Sequence, residues 1–288
     1  MGYAYRPAPP ELRPFVRSLW FNEAPPVRRY ERILPQPVAH VIVNLSEPYR
    51  LLARGGEWIG DPFRAAFVSG LQLEYLVIEN PGHLWQCGAE LEPAGLAALV
   101  SIPPADLTGR VRDADTLIAG SSSWRSTLQA ADRDAERTLD LLTGLVGAAV
   151  RPNFTIDPVV ADGLARLDAD PDLPIAALAA ELGVSHVRLI ARFRDGLGVA
   201  PKTYADLARF SLFLNAIPFD DVPTWSELVA TTGYHDQPHF IRSFKRYTGY
   251  TPSQYLAGVR TYGAEFPSFQ PMEQFSTIAA GQATTTVG

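Results

Sequence analysis

Two segments of this chain end alike, and that likeness constrains its fold more than any other feature. Gly198-Val-Ala-Pro-Lys-Thr-Tyr204 and Gly249-Tyr-Thr-Pro-Ser-Gln-Tyr255 share the form Gly-x-x-Pro-x-x-Tyr, about fifty residues apart. Ala177-Leu-Ala-Ala-Glu-Leu-Gly-Val-Ser precedes the first, and Glu227-Leu-Val-Ala-Thr-Thr-Gly-Tyr precedes the second. Each copy reads as helix, glycine turn, helix (through Phe193 or Phe244), then a glycine and a new helix starting at proline. Glycine supplies the left-handed turn, and a small residue lets the two helices cross closely. Ala179 fills that place in the first copy. Val229 fills it in the second, which predicts a slightly wider crossing.

The second copy, residues 233–255, is the more informative. Phe240 and Phe244 stand at i and i+4, so both rings share one buried stripe. Arg242, Lys245 and Arg246 then fall on other faces. A helix anchored on one side and basic on another suits the major groove of DNA.

Charge qualifies this reading. The whole chain of 288 residues carries a formal net charge of −6. Residues 172–260 hold 9 Lys+Arg and 8 Asp+Glu, a balance of +1, so DNA contact has to come from local clusters. Non-specific affinity is then modest and salt-sensitive. No run of eighteen apolar residues or leader-like N-terminus appears, and Cys87 is the only cysteine, which fits a reducing cytoplasm and no membrane contact.

Upstream the pattern differs. Val38–Leu45, Tyr49–Ala53, Ala65–Val68, Leu73–Glu79 and Leu84–Leu91 read as strands bounded by Gly, Pro, Asn or Ser. Glu11–Trp20 fits a helix or a strand equally. Trp124–Ala149 has helical spacing, and Asp157-Pro158 reads as an N-cap with proline at the first helical position. The expected class is α+β. A β-rich sandwich or barrel occupies 1–120, a helical connector 121–171, an all-α pair of helix–turn–helix units joined by a linking helix 172–260, and a disordered tail 261–288.

The double motif over about 172–256 closely resembles the AraC/XylS (arabinose-type) transcription regulators. More loosely, Trp20, Ile33-Leu-Pro, Gly70 and Leu91-Glu-Pro-Ala-Gly-Leu resemble a subgroup with a cupin-like N-terminal domain of uncharacterised function. The resemblance implies a β-rich sensing or dimerising domain and a sequence-specific regulator without catalytic activity. Its partners would be double-stranded promoter or operator DNA, RNA polymerase, an unknown small-molecule effector and a second copy of the chain.

Carried over residue by residue, the second recognition helix offers Gln237, Pro238, His239, Ile241 and Arg242 to the groove. Arg242 would pair with guanine and Gln237 with adenine. Lys245 and Arg246 would meet phosphates, which position without specifying. The first recognition helix, capped by Ser185, offers His186, Val187, Arg188, Ile190, Ala191 and Arg192. The usual arginine is replaced by Ala191, which leaves two readings. Either Arg188 and Arg192 face the groove together, or this helix touches only methyl groups and backbone. The linking helix Pro201–Leu214 spans about 21 Å, so two groove segments about 34 Å apart are within reach of one chain.

Trp20, Trp58, Tyr75 and Trp85 are the candidate effector pocket, with a β-domain core as the competing role. A cupin metal site needs two histidines one residue apart and a nearby glutamate. His40 and His83 stand alone, and Cys87, Glu90 and Glu92 do not complete a set, so no metal and no cofactor are expected. Cys87 lacks a defined base and reads as a structural thiol. The alternative function is a cupin-type small-molecule-binding protein or enzyme whose helical part mediates assembly.

Overall fold

Alternation along the strands decides which way each residue of the N-terminal half points. A computed structural model describes residues 2–26, 29–53, 57–218, 224, 227, 237–262 and 269–271. Its strands are β1 (Gly2–Pro7), β2 (Val16–Ala24), β3 (Tyr30–Ile33), β4 (Ala39–Asn44), β5 (Tyr49–Leu52), β6 (Trp58–Phe63), β7 (Ala66–Ser69), β8 (Leu76–Glu79), β9 (Leu84–Leu91), β10 (Val111–Asp113) and β11 (Phe269–Pro271). They form two antiparallel sheets, one ordered β1-β2-β9-β4-β7-β10 and the other β11-β3-β8-β5-β6. The sheets face each other as an open sandwich rather than a closed barrel.

In the first sheet, Phe21 lies opposite Cys87 and Cys87 opposite Val43, while Leu19 and Val41 flank Ala89. All are at most 2% exposed. Period-two geometry puts them on one face, and that face packs under two helices, α2 (Trp124–Gln129) and α3 (Ala135–Ala149), through Trp124, Leu128, Leu139, Leu142 and Val146. The other face carries Ile42 and Phe67, which meet Tyr49, Leu51 and Ile78 of the second sheet. The layers are therefore helices, sheet, sheet. A short helix, α1 (Leu96–Leu99), and a 3-10 turn at Pro104–Leu107 close one end.

The five strands expected from sequence form within a few residues of their expected limits. The undecided segment 11–20 is a turn followed by β2. The sequence pattern does not mark β1, β3, β6, β10 or β11. β6 contains Gly60 and Pro62, which disguise it; it lies at a sheet edge, where a missing N–H breaks no ladder. The helix expected over Trp124–Ala149 is two helices. Asp132 and Arg133 take positive φ of 52° and 65° between them. Arg133 is held there by an ion pair with Glu23 and by stacking 4.8 Å from the Trp85 ring, and Asp134 then caps α3 by accepting from Arg137 N at 2.8 Å. Within the tail expected to be disordered, residues 269–271 pair with β3, which offers an open backbone edge.

The C-terminal helices are α4 (Pro158–Ala169), α5 (Ile175–Glu181), α6 (His186–Leu197), α7 (Pro201–Asn215), α8 (Gln237–Thr248) and α9 (Pro252–Tyr262). The repeat seen in the sequence has a direct structural meaning. Gly198 and Gly249 end α6 and α8 with φ of 85° and 78°, and Pro201 and Pro252 open α7 and α9. Tyr204 and Tyr255 are then buried to 1% and 0%. Thr251 and Gln254 add a reciprocal cap at α9, as do Thr224 and Glu227 ahead of the second unit. The glycine turn 231–236 and Val229 lie outside the described residues.

α7 is shared between the two units. Tyr204, Ala205 and Ala208 belong to the core of the first, with Leu178, Leu189 and Phe193. Leu207, Phe210, Phe213 and Leu214 belong to the core of the second, with Phe240, Phe244 and Tyr255. The second core is largely aromatic: Phe244 lies 5.6 Å from Phe210, 5.5 Å from Phe213 and 5.3 Å from Tyr255, all edge-on.

Candidate nucleic-acid interface

The first recognition helix, α6, starts where Ser185 accepts a hydrogen bond from Arg188 N at 3.3 Å. Gly183, with φ of 66° and open space around its Cα, turns the chain into it. Leu189, Phe193 and Leu197 bury one stripe of the helix. Phe193 lies so close to Gly163 of α4 that a Cβ there would come within 2.8 Å of its ring. The opposite stripe exposes Ser185, His186, Val187, Arg188, Ala191 and Arg194, and Ile190 is half-buried. Val187 is 76% exposed, an unusual cost for a β-branched apolar side chain in water.

Arg192 is not on that stripe. It is half-buried, and its Nη1 donates to both carboxylate oxygens of Asp157 at 2.7 Å. Asp157 also caps α4 by accepting from Val159 N at 2.8 Å. Arg192 thus binds the first unit together, and the arrangement in which Arg188 and Arg192 share the groove is not the one the fold adopts. Arg194 was overlooked; its signal was the helical spacing from Val187 and Ala191.

The second recognition helix, α8, buries Phe240, Phe244 and Tyr247 and exposes Pro238, Arg242, Lys245 and Arg246, with Ile241 half-buried. The side chains of Gln237 and His239 lie outside the described residues. Arg246 packs on its neighbour, 4.8 Å from the Tyr247 ring, and donates to that hydroxyl at 3.0 Å. Arg242, Lys245 and Arg246, with Gly249 and Tyr75 of the β domain, line an open cleft of about 420 Å³. This is a concentrated cationic surface beside a protein whose net charge is negative.

The four aromatics expected to form one pocket are dispersed. Trp20 lies over Gly88, which has no room for a Cβ. Trp85 is paired with Glu23, an odd number of residues along from the Trp20–Gly88 pair, so it points to the opposite face of the same sheet. Trp58 is 59% exposed on the outer side of the second sheet, stacked 4.1 Å from Arg50 and donating to Glu79 at 3.1 Å. Tyr75 faces the second helix–turn–helix unit. Only Trp20 lines the space between the sheets.

Beside the apolar cluster of Ile42, Phe67 and Tyr49, the inner face of the first sheet is polar. His40 lies opposite Glu90, and Gln86 lies between Asn22 and Asn44. Ser18 donates to Glu90 at 2.9 Å. His40 is pushed below its ordinary range, first by burial and then by Arg17, against the pull of Glu90. Trp20, His40, Ile42, Gln86 and Glu90 all keep partial exposure, unlike the opposite face of the same strands. Burial, and then Glu31, raise the pKa of the Tyr49 hydroxyl, and the Gln86 side chain beside it acts in the opposite direction. His83 stands apart from this group and contacts Glu23 at 3.4 Å. Cys87 is fully buried on the helix-packed face, where burial raises its thiol.

Fold and site together define a β-sandwich joined to a helical domain in which α6 and α8, each buried on one stripe and exposed on the other, share the helix α7. Residues 178–258 match a helix-turn-helix domain model, and residues 4–113 match a domain of unknown function, DUF6597. No curated protein matches the chain. Among solved structures, ToxT from Vibrio cholerae is similar at 11% identity over 83% of this chain and 98% of that one, with a TM-score of 0.49. ToxT bound to (E)-4-(8-methylnaphthalen-1-yl)but-3-enoic acid is similar at 12% identity over 84% and 99%, with a TM-score of 0.46. Unsaturated fatty acid bound wild-type ToxT is similar at 10% identity over 88% and 94%, with a TM-score of 0.43. Likeness at this level transfers no residue roles. Among the described residues, no helix is long and apolar enough to cross a membrane.

Proposed function

We propose that this protein is a sequence-specific DNA-binding transcription regulator of the AraC type. The observation that supports it best is the pair of recognition helices, each buried on one stripe and open on the other, joined by one shared helix. In this reading Arg242 contacts a base, with Gln237 and His239 beside it, while Lys245 and Arg246 hold phosphates. The first helix presents Val187 and Ala191 to thymine methyl groups and Arg188 to the backbone. α7, fifteen residues long, spans about 22 Å and sets the two helices into successive groove segments on one DNA face.

The β domain supplies control. The half-open space between its sheets offers Trp20 as a platform and His40, Glu90, Gln86 and the Tyr49 hydroxyl as hydrogen-bonding groups. That set suits a small polar effector with both donors and acceptors. Contacts with RNA polymerase or a second copy of the chain belong to the same reading. Selection of bound sequences from random DNA tests it: two unequal half-sites about one helical turn apart are expected, the sharper one under α8. Absence of any salt-dependent enrichment would sink the regulator reading.

A further inference from the structure

The two glycines that mark the repeat are also places where the β domain reaches the recognition helices. Gly198, which ends α6, lies against the 3-10 turn at Pro104–Leu107. A Cβ there would come within 2.5 Å of Thr108 Oγ1 and 2.7 Å of the Pro104 carbonyl. The Thr108 hydroxyl donates to the Gly198 carbonyl at 3.2 Å, the nearer of two acceptors, with the Pro104 carbonyl at 3.4 Å.

Gly249, which follows α8, lies against Arg32 of β3, and a Cβ there would come within 2.5 Å of Arg32 Nη1. Arg32 is 6% exposed. Its guanidinium lies 4.1 Å from the Tyr75 ring and 4.5 Å from the Tyr250 ring, and Nη1 donates to the Thr248 carbonyl. A cation at the last carbonyls of a helix also complements the negative end of its dipole. Alternation along β3 is what aims Arg32 outward: it pairs with Val77, while its neighbours Glu31 and Ile33 turn to the other sheet. Leu34, just beyond, enters the core of the second unit, and Leu71 and Ala94 enter the core of the first.

We propose that Thr108 and Arg32 hold the C-terminal ends of both recognition helices, so that the β domain acts as the gauge that sets the separation of the two DNA half-sites. Both are positioning residues that touch no base. α7 starts just beyond the Gly198 end of α6, so Thr108 holds the junction at which α7 begins, while Arg32 holds the end of α8 from which α9 leads on. The cations of α8 stay exposed in this docked arrangement, so the gauge holds the helices in a form open to DNA. The spacing role rests on the DNA-binding reading above, whereas the positioning role does not.

The test uses the full-length chain and the double variant Thr108→Val with Arg32→Lys. The first change removes a hydroxyl at constant volume, and the second keeps the charge but loses the planar stack. Spin labels placed by Arg194→Cys and Lys245→Cys report the distance between the helices without DNA. A narrow distribution in the parent that broadens in the double variant supports positioning; equal widths overturn it. The selected DNA site is then lengthened by one base pair, an offset of roughly 3.4 Å and about a tenth of a turn. The parent is expected to lose on the order of tenfold in affinity, and the variant less than about threefold, because a loose linkage tolerates a changed span. Identical spacing profiles overturn the gauge even if the distances broaden. If the parent binds no DNA, the regulator reading and the gauge fall together, and the spin-label distances still decide the positioning role. Unchanged circular dichroism in the variant separates these outcomes from misfolding.

Discussion

Arg242 and Arg192, on α8 and α6 of one helical domain, show how differently one residue type can be placed. Arg242 is exposed on a basic face, and replacing it by alanine is expected to cost about 1–3 kcal/mol on the selected site and to flatten preference at one base pair. Titration against a panel of single-base variants checks this; equal weakening on every sequence would remove the base contact. Arg192 holds Asp157 across the first unit, with both side chains about a third exposed. Arg192→Met is expected to lower stability by about 0.5–1 kcal/mol in urea titration while leaving base preference unchanged. The sequence listed both arginines as candidates because helical spacing cannot see a partner thirty-five positions away. His40 gives a pH dependence. Its folded pKa lies below the ordinary value near 6.5, so the unfolded chain takes up its proton first on acidification. This group's contribution is intact above about pH 6.5 and is lost as pH falls from there towards the depressed folded value. His40→Gln should flatten the stability profile in that window; an unchanged slope would show that His40 does not carry the pH dependence there.

At the scale of elements, the two turn glycines of the first unit separate backbone strain from docking. Gly183 and Gly198 both have positive φ, but a Cβ at 183 meets nothing within 4 Å, whereas at 198 it meets Thr108 and Pro104. Gly183→Ala is expected to cost about 1–2 kcal/mol from conformation alone. Gly198→Ala should cost more and should raise amide exchange at Pro104–Thr108 as well as in α6. Equal costs, with exchange confined to α6, would mean that the contact with the β domain contributes nothing. Element type was legible wherever periodicity was long. The strands through Val41 and Ala89, the Phe240–Phe244 stripe and the caps at Asp157 and Ser185 all follow from local pattern. The break at Asp132–Arg133 was not legible, because two non-glycine residues take positive φ there only with Glu23 and Trp85 to hold them. The missed strands are short or proline-containing, and pairing with neighbours rather than their own composition makes them strands.

For the whole molecule, the domains share cores as well as a connection. Leu34 from the β domain is 4% exposed among the aromatic residues of the second unit. Leu34→Ala is expected to destabilise the chain by about 2–4 kcal/mol. The parent should melt in a single calorimetric transition, because the β domain and the helical domain bury residues in each other. Two separated transitions, with Leu34→Ala shifting neither, would show that the domains fold independently. The effector pocket belongs to this scale too. The sequence offered four aromatics, and only Trp20 lines the inter-sheet space.

The sequence by itself determined the repeated run of helix, glycine turn, proline-started helix and buried tyrosine. Glycine, proline and tyrosine at fixed offsets specify a turn, a helix start and an anchor through local geometry, and local geometry is written in order along the chain. It also determined which stripe of each recognition helix is buried. Tertiary structure alone decided that Arg192 is tied to Asp157, that His40 and Glu90 lie on the inner face of the first sheet, and that Thr108 and Arg32 meet the ends of both recognition helices. Those outcomes depend on strand register and domain docking. A one-residue shift in either reverses which side chains meet, and no short window of sequence contains both partners.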